Sequence, residues 1–95
     1  MGLRCYDIDI VHLIDGAFVI SFLGESASTG TSKVHLARFN VKEDEKKFHR
    51  LEIDVTRYAV VSREGKLFLF AMEDSGTLLM IKYNADLSMS AATRV

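Results

Sequence analysis

The chain contains no proline. Proline is roughly one residue in twenty of ordinary proteins, so its absence from 95 residues leaves every backbone N–H free to join a ladder. It also removes one usual means of blunting a strand edge. Cysteine is nearly absent too: Cys5 stands alone. That excludes an internal disulfide framework and fits a reducing compartment, so the expected location is cytoplasmic. No apolar run approaches the ~20 residues that span a bilayer. Excess charge of either sign is missing, with 12 basic against 13 acidic side chains. No basic face for nucleic acid or anionic lipid is therefore expected. Met1 to Cys5 do not read as a signal peptide, because no apolar core follows Arg4. Gly2 is not expected to be myristoylated, since Tyr6 stands where that motif wants Ser or Thr.

What is present is apolar content of 48% with 26% charged residues, the composition of a globular chain. Its length is that of a single domain, 1–95. A domain this small buries only about two-thirds of its unfolded surface, so its stability margin is thin. The dominant period is two. Apolar residues alternate with acids in Tyr6-Asp7-Ile8-Asp9-Ile10 and with charges in Arg50-Leu51-Glu52-Ile53-Asp54-Val55. Both patterns are those of strands with one dry and one wet face. The expected class is all-β with eight antiparallel strands, at about 4–14, 17–23, 33–41, 47–55, 57–63, 66–73, 77–84 and 87–94. Asp15-Gly16 and Glu64-Gly65 read as tight hairpin turns. Glu73 to Gly76 and Asn84 to Asp86 read as turns as well, and Lys42 to Lys47 as a solvated hairpin tip. A helix over the last segment, Asp86 to Thr93, is the alternative to an eighth strand.

The two halves of the chain correspond. Asp15-Gly16 followed by Ala17 to Leu23 answers Glu64-Gly65 followed by Leu67 to Met72. Val34 to Asn40 answers Leu78 to Asn84, with basic residue, aromatic and Asn in the same order. These correspondences mark internal repeats of about 4–55 and 56–95, each a four-stranded meander. The length difference falls in Gly24 to Ser32, a loop by composition.

Three strands break the wet–dry rule. Leu67, Leu69 and Ala71 oppose Phe68, Phe70 and Met72; Leu79 and Ile81 oppose Leu78 and Met80; Phe18, Ile20 and Phe22 oppose Val19 and Leu23. A strand apolar on both sides must be covered on both sides. Each Leu or Phe left bare forfeits roughly 1.5–3 kcal/mol of burial, and three such strands expose a patch large for a monomer. Phe68, Phe70, Leu78 and Met80 are therefore the expected packing residues between subunits.

The order of strand, acid-Gly turn, apolar strand, turn, strand closed by an aromatic and a polar residue, then a polar strand resembles the blades of β-propellers. In their best-known family, Trp-Asp closes the third strand; Phe39-Asn40 and Tyr83-Asn84 stand in that place here. The resemblance spans nearly the whole chain and implies architecture without activity. Two blades cannot close a ring, since propellers take about four to eight, so several chains would have to join. An eight-stranded barrel or sandwich that dimerises through a sheet face is the other architecture the pattern allows.

Side chains that carry chemistry are few. His12, His35 and His49 do not have the convergence a metal site needs; with a strand-three hairpin turning at Glu43-Asp44, His49 falls opposite Phe39 and His35 opposite Ile53. Asp7 and Asp9 fall on one face of strand one, ~7 Å apart, where solubilising acids on an edge are the simpler reading. Cys5 lacks a partnering histidine. Neither Gly24 nor Gly30 belongs to a phosphate-binding pattern. Loops carry recognition more often than frameworks do, so Glu25, Ser26, Ser28 and Thr29 are the candidate contact residues. The reading is a non-catalytic interaction or assembly module, without cofactor or metal, whose partner is a second copy or another protein. A small-ligand carrier with a Phe- and Leu-lined cavity, or a subunit of a viral or multi-protein scaffold, are the alternatives.

Overall fold

The computed structural model describes residues 3–95; Gly2, which a myristoyl group would need, lies outside them. The fold is all-β. Its eight strands are β1 Leu3–His12, β2 Phe18–Ser26, β3 Ser32–Asn40, β4 Glu45–Arg50, β5 Val55–Arg63, β6 Lys66–Glu73, β7 Leu78–Tyr83 and β8 Met89–Arg94. They form two antiparallel sheets, in the orders β1-β2-β3-β4 and β5-β6-β7-β8. Among the described residues no ladder joins the sheets, so the closed barrel does not form, and the last segment is a strand rather than a helix. At Glu64-Gly65 both residues take positive φ, 53° and 76°, as a two-residue turn matched to strand twist demands. The first hairpin is longer: Leu13 N–H donates to Ala17 O at 2.8 Å around Ile14-Asp15-Gly16, and Gly16 sits at φ 88°.

The sheets stack face to face, and the molecule measures 37 × 34 × 17 Å. The core lies between them. Val19 and Leu23 of β2 and Val34 and Leu36 of β3 meet Leu67, Leu69 and Ala71 of β6 and Ile81 and Tyr83 of β7. Like ends lie together. Ile14 of the first hairpin comes within 3.5 Å of the place a Gly65 Cβ would take. Arg38, near the end of β3, donates from Nη1 to Ala85 O, beyond the end of β7, at 2.9 Å. The backbone of β5 comes close to both β1 and β3. The Tyr58 hydroxyl on β5 reaches Ser21 at 3.0 Å and the Asp7 carbonyl.

Three expectations are corrected. Strand four stops at Arg50, and residues 51–54 cross from one sheet to the other. The alternation there arises because Leu51 and Val55 turn into the core while Glu52 stays in water; a connection pressed along a core edge has the same period as a strand. The dry face expected for Tyr6 to Ile10 is also not dry. A bulge between Tyr6 and Asp9, with Asp7 at φ 56°, shifts the register, so Asp7 and Asp9 do not share a regular face, and Ile8 and Ile10 are exposed. The loop from Gly24 to Ser32 is shorter than its composition implied: β2 runs to Ser26 and β3 starts at Ser32. Ser26 N–H donates to Thr31 O at 3.0 Å, closing a hydrogen-bonded turn.

Candidate assembly surfaces

Period two sends alternate residues of each strand to the outside of the stack. On the first sheet, β2 turns out Phe18, Ile20 and Phe22, β3 turns out His35, Ala37 and Phe39, and β4 turns out Phe48. Their rings form two groups on that face. Phe18 stacks on Phe39 at 5.6 Å between centroids, Phe39 meets Phe48 edge-on at 6.3 Å, and Phe22 stacks on His35 at 4.9 Å. On the edge strand, Ile10 is 55% exposed, and Phe48 is 75% exposed. A surface hollow of about 480 Å³ opens beside Phe22, His35, Phe48 and Arg50. Burial and the neighbouring Arg50 charge both hold the His35 imidazole below its usual pKa, against an opposing pull from Glu52.

The outer face of the second sheet carries the four expected packing residues side by side. Phe70 pairs with Met80, Met72 with Leu78, and Phe68 with Lys82. Val61 of β5, opposite Phe68, is 50% exposed. None of these side chains is fully covered within one chain. Period two placed the four residues together, but it did not single out the matching residues on the first sheet. The pattern does not separate Phe18, Ile20 and Phe22 from Val19 and Leu23, because both sides of β2 are apolar, and only the packed sheets distinguish its two faces.

The remaining candidates sit apart. Glu25 and Ser26 close β2, and its neighbours Ser28 and Thr29 occupy an exposed turn held by Ser26–Ser28 and Thr29–Thr31 hydroxyl contacts of 3.0 and 2.8 Å. Glu25 lies 3.6 Å from exposed Arg4, a pair worth little. His35 and His49 are separated by the sheet itself. The hairpin turns at 41–44, so His49 falls opposite Leu36 and His35 opposite Arg50. His35 faces out, and His49 faces in, with Nε2 3.2 Å from the buried Tyr83 hydroxyl. Among the described residues no three His, Cys, Asp or Glu side chains are placed to hold a metal ion, and there is no helix to cross a membrane. Cys5 is exposed.

Burial raises the Tyr83 pKa to about 12 from the ordinary 10.0. The folded chain therefore keeps a proton that the unfolded chain gives up above pH 10. This contribution to stability is complete below pH 10 and is lost as pH rises through about 12. Tyr83→Phe is expected to flatten that alkaline loss, leaving only the smaller part due to Tyr58, and to cost about 1 kcal/mol at neutral pH through the lost His49 contact. Urea midpoints at pH 8 and pH 11 check both.

Compared with known proteins, the chain matches no family model, no curated protein and no solved structure.

Proposed function

We propose that this protein is a non-catalytic assembly module that acts as a homo-oligomer, its two bare sheet faces covered by other copies. One observation carries the reading: both broad faces of a 17 Å slab present apolar and aromatic side chains, Phe18, Phe39 and Phe48 on one and Phe68, Phe70 and Met80 on the other. A soluble monomer rarely exposes contiguous apolar patches larger than a few hundred Å². Obligate interfaces, by contrast, resemble a domain core cut in half, and each face here has that composition. The bare faces point to a protein partner, and the near-even balance of 12 basic and 13 acidic side chains disfavours nucleic acid. The cytoplasm, as a reducing compartment, suits the free exposed Cys5.

Size-exclusion chromatography with light scattering at micromolar concentration tests it. The expected mass is a discrete multiple of the 10.7 kDa chain. A clean monomer at that concentration overturns the proposal.

A further inference from the structure

Resting on that assembly role, we propose that copies stack head to tail: the outer face of the second sheet of one copy seats on the outer face of the first sheet of the next, and the row closes into a ring. The occupant of each bare face is thus a second copy of this chain, presenting its opposite face.

The two sheets already display this contact. Aligning the chain at Asp15-Gly16 and Glu64-Gly65 sets Val19, Ser21 and Leu23 of β2 against Phe68, Phe70 and Met72 of β6. The first three face inward and the second three outward. The alignment at Asn40 and Asn84 does the same for β3 and β7: Leu36 faces inward, and its counterpart Met80 outward. The reverse holds for Phe18, Ile20 and Phe22, which face outward and correspond to the inward Leu67, Leu69 and Ala71. The second sheet therefore turns to solvent the face that the first sheet buries. Contact inside the chain joins unlike faces with like ends together, as Ile14 beside Gly65 and Arg38 on Ala85 record. That is a heterologous contact, the kind that generates rings or open rows.

Repeating it between chains uses one bare face of each copy and leaves none when the ring closes. Pairing like faces across a two-fold axis has no precedent inside the chain. Radial stacks of four-stranded meanders close at about four to eight sheets, which means two, three or four copies. A specific contact follows. Arg38 donates to the carbonyl that follows Asn84; Lys82 holds the corresponding place in the second sheet, and Val41 follows Asn40. Lys82 Nζ is expected to donate to the Val41 carbonyl of the next copy.

Two double variants decide the matter. Ile10→Lys with Phe48→Lys blocks the first face, and Val61→Lys with Met80→Lys blocks the second. All four side chains are at least partly exposed within one chain. Circular dichroism establishes that each variant folds, and light scattering gives its mass. Head-to-tail stacking requires each variant alone to be monomeric and an equimolar mixture to form a heterodimer, through the one free face left on each. Self-association of either variant overturns the proposal in favour of like-face pairing. A mixture of folded variants that stays monomeric beside an oligomeric wild type also overturns the proposal. A monomeric wild type defeats the assembly role itself, a result that leaves the two failures distinct. A second measurement spares the faces. Val11 of β1 and Val60 of β5 are the inward counterparts of Val61 and Ile10. With Cys5→Ser, Ile10→Cys and Val61→Cys chains should form an intermolecular disulfide when mixed and none separately. Disulfides within either single population overturn the unlike-face contact.

Discussion

Leu69→Ala is expected to lower the free energy of unfolding by about 2–5 kcal/mol, the largest loss from any single truncation on β6. Leu69 is fully buried at the centre of the stack, between Val60 and Ile81 on its own sheet. Removing its side chain leaves a cavity that two sheets locked by ladders cannot close by collapse. A domain of this size has a margin of only about 5–15 kcal/mol, so the variant spends a large part of it. Its neighbour Phe70 gives the contrast. Phe70→Ala removes more carbon, yet its ring lies on the outer face and is only half-buried within one chain. In a chain held monomeric by Ile10→Lys with Phe48→Lys, it should cost about 1 kcal/mol or less. In the wild-type background it should instead weaken the oligomer. Urea unfolding of the monomeric chain measures the first pair of values, and dilution with light scattering the second. Equal unfolding losses for Leu69 and Phe70 would mean that β6 is core on both sides within a single chain.

Alternation and turn chemistry are local properties, and they made the strands legible. Period two with Val, Ile, Phe and Tyr marks strands whatever the sheet does next, and Glu64-Gly65 specifies its own hairpin. The same period misled where the chain skirts the core without pairing, at Leu51 to Asp54, because burial on one flank alternates residues with or without a ladder. At Asp7 a residue that tolerates positive φ opened a bulge that no apolar pattern signals. Faces were less legible than strands. On β2 both Phe18-Ile20-Phe22 and Val19-Ser21-Leu23 are mostly apolar, and their choice of side is made by the partner sheet. Polarity pointed the wrong way here: Ser21 on β2, and Arg38 and Asn40 on β3, are polar residues that a wet–dry rule sends outward. Each takes an inward place with a named partner, Tyr58 for Ser21, Asp15 and Glu45 for Arg38, and the Glu43 amide for Asn40. They can lie on the buried side because each is satisfied there.

Arg38→Met should be the most destructive substitution among the charged residues, costing about 1–3 kcal/mol at neutral pH. The guanidinium is buried, with its side chain 8% exposed. It donates to Asp15 Oδ2 at 2.8 Å, to Glu45 Oε1 at 3.2 Å and to Ala85 O at 2.9 Å. It thus ties the first hairpin and β4 of one sheet to the β7–β8 turn of the other. Both carboxylates are partly in water, which keeps the loss below that of a fully buried pair. The effect carries a pH signature. The Arg38 hydrogen bond, helped by the Ala17 amide, holds the Asp15 carboxyl below its ordinary 3.8. Above about pH 4 the folded and unfolded chains are equally deprotonated there, and the full contribution is present. As pH falls through the folded value the unfolded chain takes up its proton first, so stability is lost on the acid side. Asp54 is held low by Lys33, Glu52 by Arg50 and Asp86 by Ser88, and these remain in the variant. The difference between the two proteins therefore reports the carboxylates that Arg38 itself holds, Asp15 and Glu45. Urea midpoints at pH 7 and pH 3 should show the gap between wild type and Arg38→Met narrowing in acid. A gap that stays constant would mean that Arg38 acts through its packing and its bond to Ala85 alone, with no net contribution from the carboxylates beside it.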